Sequence, residues 1–333
     1  MIIIVIYIAF RQTEDTMPKM SGQSPFSFSY CDDLHTVPEK ALPVEVKLHG
    51  GFAVDERPGF GHVYYGMPGH GLLKISPDLS SQETIELPTY LKPMNFHSTK
   101  IGALDGSTKL FLPANEDAKV AVLSLEGEVE YVFDTPEFDQ YRAEGVVFRP
   151  TDTALVDSEL YVADGYGANY ISIADVKRQA WSRAFGGKTD DPNELGKYGT
   201  AHGFALTPDG TTLAIADRPH SRFEIASFEG EVRLAHALPA GSRPCGIDFF
   251  EHAGSWYAVV GSLDDPDEGR SAPIYILDAA TYNVVSTIRA KEDLGVEKAN
   301  HIHNAVWHEH DGERYLVCQA WNPGYYFVLH LES

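Results

Sequence analysis

Residues Thr200–His236 read TAHGFALTPDGTTLAIADRPHSRFEIASFEGEVRLAH. An apolar stretch runs into a Pro-Asp-Gly turn, then Leu213–Ala216, a polar loop, a third alternating stretch, a Glu-Gly turn and a fourth. Short β-rich runs broken by Asp-Gly and Glu-Gly turns predict an antiparallel four-stranded meander. The first strand of this unit recurs as LHGGFAV (His49), NFHSTKI (His97), RAEGVVF (Glu144), TAHGFAL (His202), RPCGIDF (Cys245) and HIHNAVW (His303), at spacings of 48, 47, 58, 43 and 58 residues. Second strands recur at Lys109–Pro113, Leu160–Ala163, Leu213–Ala216, Trp256–Val260 and Tyr315–Gln319. Six such units, with no long helical periodicity, predict a single all-β domain, a six-bladed β-propeller. The last unit ends after its third strand, so an N-terminal segment is expected to supply the fourth and close the ring. Residues 1–43 then form a leader or tail that includes the closing strand, and 44–333 form the propeller.

The chain has 333 residues, 26 basic and 48 acidic, for a formal net charge of −22. With 43% hydrophobic and 22% charged residues it has ordinary globular composition, which excludes wholesale disorder. The acidic balance argues against a nucleic-acid surface, which needs a basic stripe, and against docking on anionic lipid. Cys31, Cys245 and Cys318 are too few and too scattered for a disulfide framework or a cysteine-rich zinc site. They fit a reducing compartment, with a single Cys31–Cys318 bridge left open. Met1–Phe10 is an apolar run about half as long as a membrane-spanning helix requires. It lacks the basic start and small-residue cleavage site of a secretory signal. An extra leader, with Met17 or Met20 as the true start, is one reading; an atypical signal or anchor is the other. A cytoplasmic monomer is expected, or a secreted or periplasmic one if that run is a signal.

Propellers place the first strand of each blade beside the central channel. His97, His202 and His303 then occupy the same position in blades two, four and six, about 120° apart and aimed at the axis. Three neutral imidazoles with an open position are how a catalytic Zn²⁺, or another divalent transition metal, is held. A single histidine at a strand start is usually an ordinary hydrogen-bonded polar residue; three at one repeat position are a metal-site pattern. Glu144, at that position in blade three, is an expected axial acid/base or a partner for an imidazole. After the second strands, VADGYG (Val162–Gly167) and IADRPH (Ile215–His220) emerge toward one rim. Asp164 and Asp217 are expected to brace these loops by accepting backbone N–H bonds. Tyr166 and Arg218 would project from them, the phenol as a base with a lowered pKa and the guanidinium as a forked donor to a carboxylate. The structural alternatives are rim packing for Tyr166 and a salt bridge from Arg218 to Asp217 or Asp164.

The stretches LYVADGYGANY (Leu160–Tyr170), AFGG (Ala184–Gly187) and AHGFALTPDGTTLAIADRPHSRFEI (Ala201–Ile225) resemble the peptidylglycine α-amidating lyase family, within the wider NHL-repeat propellers. Blade five adds WYAVVGSLDDPDEGRSAPIYILDAATYNVVSTI (Trp256–Ile288), with that family's long insert between its second and third strands. The resemblance spans about residues 45–330 and is weakest in blade one. It implies a six-bladed propeller with an axial zinc on His97, His202 and His303, and often a structural calcium deeper in the channel. It also implies that Tyr166 and Arg218 act on peptidyl-α-hydroxyglycine, releasing a peptide amide and glyoxylate. The chain departs from the family at several points. VYYGMPGHG (Val63–Gly71) lacks the family's blade-one arginine, Asn304 stands for a calcium-associated aspartate, Gly167 for a disulfide cysteine, and His301 for a methionine.

These residues therefore point to a metal-dependent lyase acting on a small molecule or peptide that carries a carboxylate. A metal-dependent lactonase-like hydrolase is a second reading, although such propellers favour carboxylate-rich calcium sites. A non-catalytic scaffold for protein interaction is a third, and fold alone does not separate it from an enzyme.

Overall fold

The computed structural model describes residues 19–332; Met17 and the apolar run Met1–Phe10 lie outside them. Six antiparallel sheets follow one another around a ring, five of four strands and one of five. The inner strands are Ala53–Val54, Lys100–Leu104, Asp152–Val156, Ala201–Leu206, Pro244–His252 and His301–His310 in blades one to six. In blades two to six the second strands are Ser107–Ala114, Glu159–Ala163, Leu213–Asp217, Ser255–Ser262 and Glu313–Trp321, which contain all five sequence-derived segments.

The ring closes through the N-terminal segment. Strand Phe26–Cys31 pairs antiparallel with the last strand, Tyr325–Glu332, in a register that sets Ser27 opposite Glu332 and Tyr30 opposite Leu329. Phe26 and Phe28 are fully buried in the core between blades five and six. Ahead of them Ser21–Gln23 adds a fifth, outer strand that reaches back to blade five: the Gln23 N–H donates to Ser286 Oγ (2.9 Å) and the Arg289 N–H to Ser21 Oγ (2.8 Å). Chain start and chain end are thus clasped across two blades.

The apolar core is divided into six wedges, one between each pair of neighbouring blades. Leu160–Ala163 shows how one strand serves two of them. Leu160 and Val162 face blade two, and Tyr161 and Ala163 face blade four, because successive side chains point to opposite sides of the sheet. Middle strands buried on both faces read as continuous apolar runs, which is why their polar–apolar alternation is weak.

Blade three begins later than its sequence motif suggests. RAEGVVF is not a strand: Glu144 lies exposed in a turn after the short helix Asp139–Arg142, and Val146 and Phe148 enter the wedge between blades two and three. Pro150, which has no N–H for a ladder, separates this loop from the inner strand Asp152–Val156. That strand turns tightly into the second through Asp157, whose φ of +53° lies in the left-handed region that aspartate tolerates. The three cysteines are free thiols, and no helix among the described residues is long and apolar enough to cross a membrane.

Because Phe28 belongs to the closing strand, Phe28→Ala should behave as a core deletion despite its place near the chain start. It is expected to lower the unfolding free energy by about 3–5 kcal/mol in urea titrations. A loss below about 1 kcal/mol would contradict closure by this segment.

Candidate metal centre

The inner strands deliver their axial side chains at irregularities. The strand registers slip between Ala201 and Phe204, between Pro244 and Ile247, and between Ile302 and Asn304, which places His202, Cys245 and His303 at bulges. A bulge bends its strand and re-aims the extra residue, here toward the axis. Close approach of the strands demands glycine beside these positions. A Cβ on Gly203 would lie 1.8 Å from the Cys245 carbonyl oxygen, and one on Gly165 would lie 2.1 Å from that of Ala201.

His97, His202 and His303 meet at the axis, only 1–3% exposed. Their ring centroids are 4.6–4.8 Å apart, and each pair is close to perpendicular, at 72–79°. His49 joins them from blade one, 4.5 Å from His97 and 4.6 Å from His303. His49, His97 and His303 offer nitrogens that all lie within 4.8 Å of one another. The alternate-blade pattern passes over His49, although its LHGG motif sits at the right repeat position.

The hydrogen bonds fix part of the protonation. His97 Nδ1–H donates to the Thr151 carbonyl oxygen (2.8 Å), so neutral His97 carries its lone pair on Nε2. That lone pair faces His303 Nε2 at 3.2 Å. Two nitrogens bound to one tetrahedral ion at about 2.0–2.1 Å would stand roughly 3.3 Å apart. His202 Nδ1 and His303 Nδ1 are buried without partners. Burial, and to a lesser extent the neighbouring imidazoles and Arg218, hold His97, His202 and His303 well below the usual histidine range. Burial likewise lowers His49 to about 4. Neutral imidazoles gathered this closely form a donor set that could hold a metal ion.

A calcium cage does not fit beneath them. That ion takes six to eight oxygens, and Asp152 is the one carboxylate among the described residues that lines the void below the imidazoles. Asn304 Oδ1 there accepts the Phe52 N–H (3.0 Å), and Asp152 is paired with Lys100, Nζ to Oδ2 3.5 Å.

The two rim loops reach the same point. Asp164 accepts the N–H groups of Arg149 (2.6 Å) and Ala168 (2.7 Å), and Asp217 that of Gly199 (2.9 Å). Held this way, Tyr166 Oη lies 3.0 Å from His202 Nε2 and accepts a bond of 3.0 Å from Arg218 Nη1. Arg218 Nη2 donates to Cys245 Sγ at 3.0 Å. The sequence offered salt bridges to Asp217 or Asp164 for Arg218, and neither forms: Asp217 pairs with His220 and Arg222. Arg218 is 5% exposed, its Nε has no partner, and no carboxylate among the described residues lies within 4.0 Å of it. Burial raises the Tyr166 phenol above its ordinary range, and Arg218 opposes that rise without reversing it, contrary to the lowered value expected from sequence. Glu144, the third sequence candidate for catalysis, is absent from the axis; Thr151 supplies the blade-three contact instead.

Fold and cluster together define a six-bladed β-propeller with three buried imidazoles and a half-buried fourth on its axis. No family model matches the chain, and no curated protein matches it in sequence. Among solved structures, a gluconolactonase from Xanthomonas campestris superposes with a TM-score of 0.58 at 12% identity, over 92% of this chain and 97% of that one. A streptogramin B lyase superposes with a TM-score of 0.55 at 12% identity, over 94% and 98%. A Kuenenia stuttgartiensis hydrazine synthase chain overlaps more loosely, with a TM-score of 0.45 at 16% identity over 66% of this chain, which spans about half of it (55%). At these identities the likeness is one of fold.

His97 and His303 belong to both candidate ligand sets. Elemental analysis of the purified protein should find about one divalent transition metal per chain, falling at least tenfold in His97→Ala and His303→Ala. Undiminished metal in both variants would contradict the centre.

Proposed function

We propose that the chain is a metal-dependent lyase that cleaves a small α-hydroxy acid of the amidoglycolate type, the chemistry of the peptidylglycine α-amidating lyases. The observation that carries this reading is Arg218, a buried guanidinium with no carboxylate partner, tied through Tyr166 to the imidazole cluster. A buried charge without a counter-ion is costly, and a substrate carboxylate supplies one in the forked geometry that arginine prefers.

A divalent ion on the imidazoles supplies Lewis acidity that lowers the pKa of a substrate hydroxyl. Arg218 orients the carboxylate, so that the hydroxyl-bearing carbon is held beside Tyr166. The Tyr166 oxygen relays the hydroxyl proton to the departing amide nitrogen as the C–N bond breaks. The hydroxyl-bearing carbon becomes the aldehyde of glyoxylate, and the nitrogen leaves as a neutral amide, so atoms and charge balance. Rim closeness of Asp164 and Asp217 to the loops, rather than contact with substrate, is their part in this scheme.

The gluconolactonase likeness favours a second reading, hydrolysis of a lactone at the same centre. The imidazole donor set and the unpaired guanidinium support the lyase first, because a neutral lactone leaves Arg218 without a counter-charge.

Metal-loaded protein should release glyoxylate from α-hydroxyhippurate, and a chelator should abolish the release. Arg218→Ala is expected to raise KM by about 10- to 100-fold, the worth of a charge-assisted bond. Tyr166→Phe should lower kcat by about 10²-fold or more with KM little changed. Lactone hydrolysis without glyoxylate release would replace this reading with the second.

A further inference from the structure

The axial channel has a second mouth, at the far ends of the inner strands. A cavity of about 330 Å³ opens there, with Phe52, Lys100, Thr153, Phe204, Asp248 and Val306 contributed by blades one to six in turn. The constriction of about 10 Å³ around Asn304 and Asp152 separates it from the imidazoles. Its size lies within the range of small-molecule sites, and its lining mixes polar groups with apolar side chains that include Leu155 and Phe249.

The charges in this cavity do not balance. Lys100 is engaged by Asp152, which also accepts the N–H groups of Thr153 (2.8 Å) and Phe204 (2.9 Å). Asp248 accepts the Trp307 N–H (3.0 Å) through Oδ2, yet no cationic side chain among the described residues comes within 4.0 Å of its carboxylate. Glu56, at the exposed lip, has no ion-pair partner among them either. Thr153 is fully buried in the lining, and its Oγ1 has no hydrogen-bond partner. Burial holds the Asp248 carboxyl up at about 7, and the more distant Lys100 opposes that rise without cancelling it.

We propose that this mouth binds a small organic cation with an apolar body. Its ammonium is held by Asp248 and Glu56 near the Thr153 hydroxyl, and its hydrocarbon part lies along Leu155 and Phe249. An anion is disfavoured, because the one ammonium present is already paired and the uncompensated groups are carboxylates. A hard metal ion is disfavoured because the only free carboxylates in the lining among the described residues are Asp248 and Glu56, and six to eight oxygens are needed. The site is independent of the lyase reading, since it shares no residue with the imidazole cluster.

Calorimetric titration of the full chain with phenethylammonium tests this. Saturable one-to-one binding is expected, weakened about tenfold or more by Asp248→Asn. Glu56→Gln, an exposed change that leaves the fold intact, should weaken it about threefold. His303→Ala should leave it unchanged, and phenylacetate should not bind. Absence of saturable binding, equal binding of phenylacetate, or loss in His303→Ala with retention in Asp248→Asn would overturn the proposal.

Discussion

Desolvation keeps three buried imidazoles and a half-buried fourth neutral around one point on the propeller axis, and the surrounding site is arranged around that constraint. Desolvation opposes protonation of His97, His202 and His303, and the Nε2 atoms of His97 and His303 face each other. Packing alone would leave His202 Nδ1 and His303 Nδ1 as buried, unsatisfied atoms. What points to a metal is the other nitrogen, where His97 Nε2 and His303 Nε2 face each other at 3.2 Å.

The ring makes the constraint possible. Six inner strands converge so closely that glycine is obligatory at Gly203, and bulges turn His202, Cys245 and His303 toward the axis. Second strands then end in loops pinned by buried aspartates, which carry Tyr166 and Arg218 to the cluster's edge. Closure depends on Phe26–Cys31, so residues far from the axis hold the geometry at its centre. The −22 net charge coexists with a cationic guanidinium at one mouth and uncompensated carboxylates at the other, and local chemistry decides which ligand each mouth accepts.

Much of this was legible in the sequence because repeats preserve position. His97, His202 and His303 each follow the same strand-start pattern, so counting blades brings them together without knowledge of any contact. The same counting misplaced Glu144, since Val146, Val147 and Phe148 imitate a strand but fold as a loop ahead of Pro150. His49 was visible at the repeat position, but strict alternation of ligands gave no reason to include it. The unbalanced charges around Asp248 had no sequence signal at all: they arise from which carboxylate Lys100 reaches, a property of side-chain geometry. Beside Arg218 alone, burial outweighs the cation and holds the Tyr166 phenol above its ordinary range.

The central claim is that imidazoles converging on the propeller axis share one metal ion. X-ray absorption at the metal edge of the loaded protein tests it most directly. The account predicts a first shell containing at least three imidazole nitrogens at about 2.0–2.1 Å, with the outer-shell scattering that imidazole rings produce. A shell of oxygens alone, or one containing a single imidazole, would contradict it.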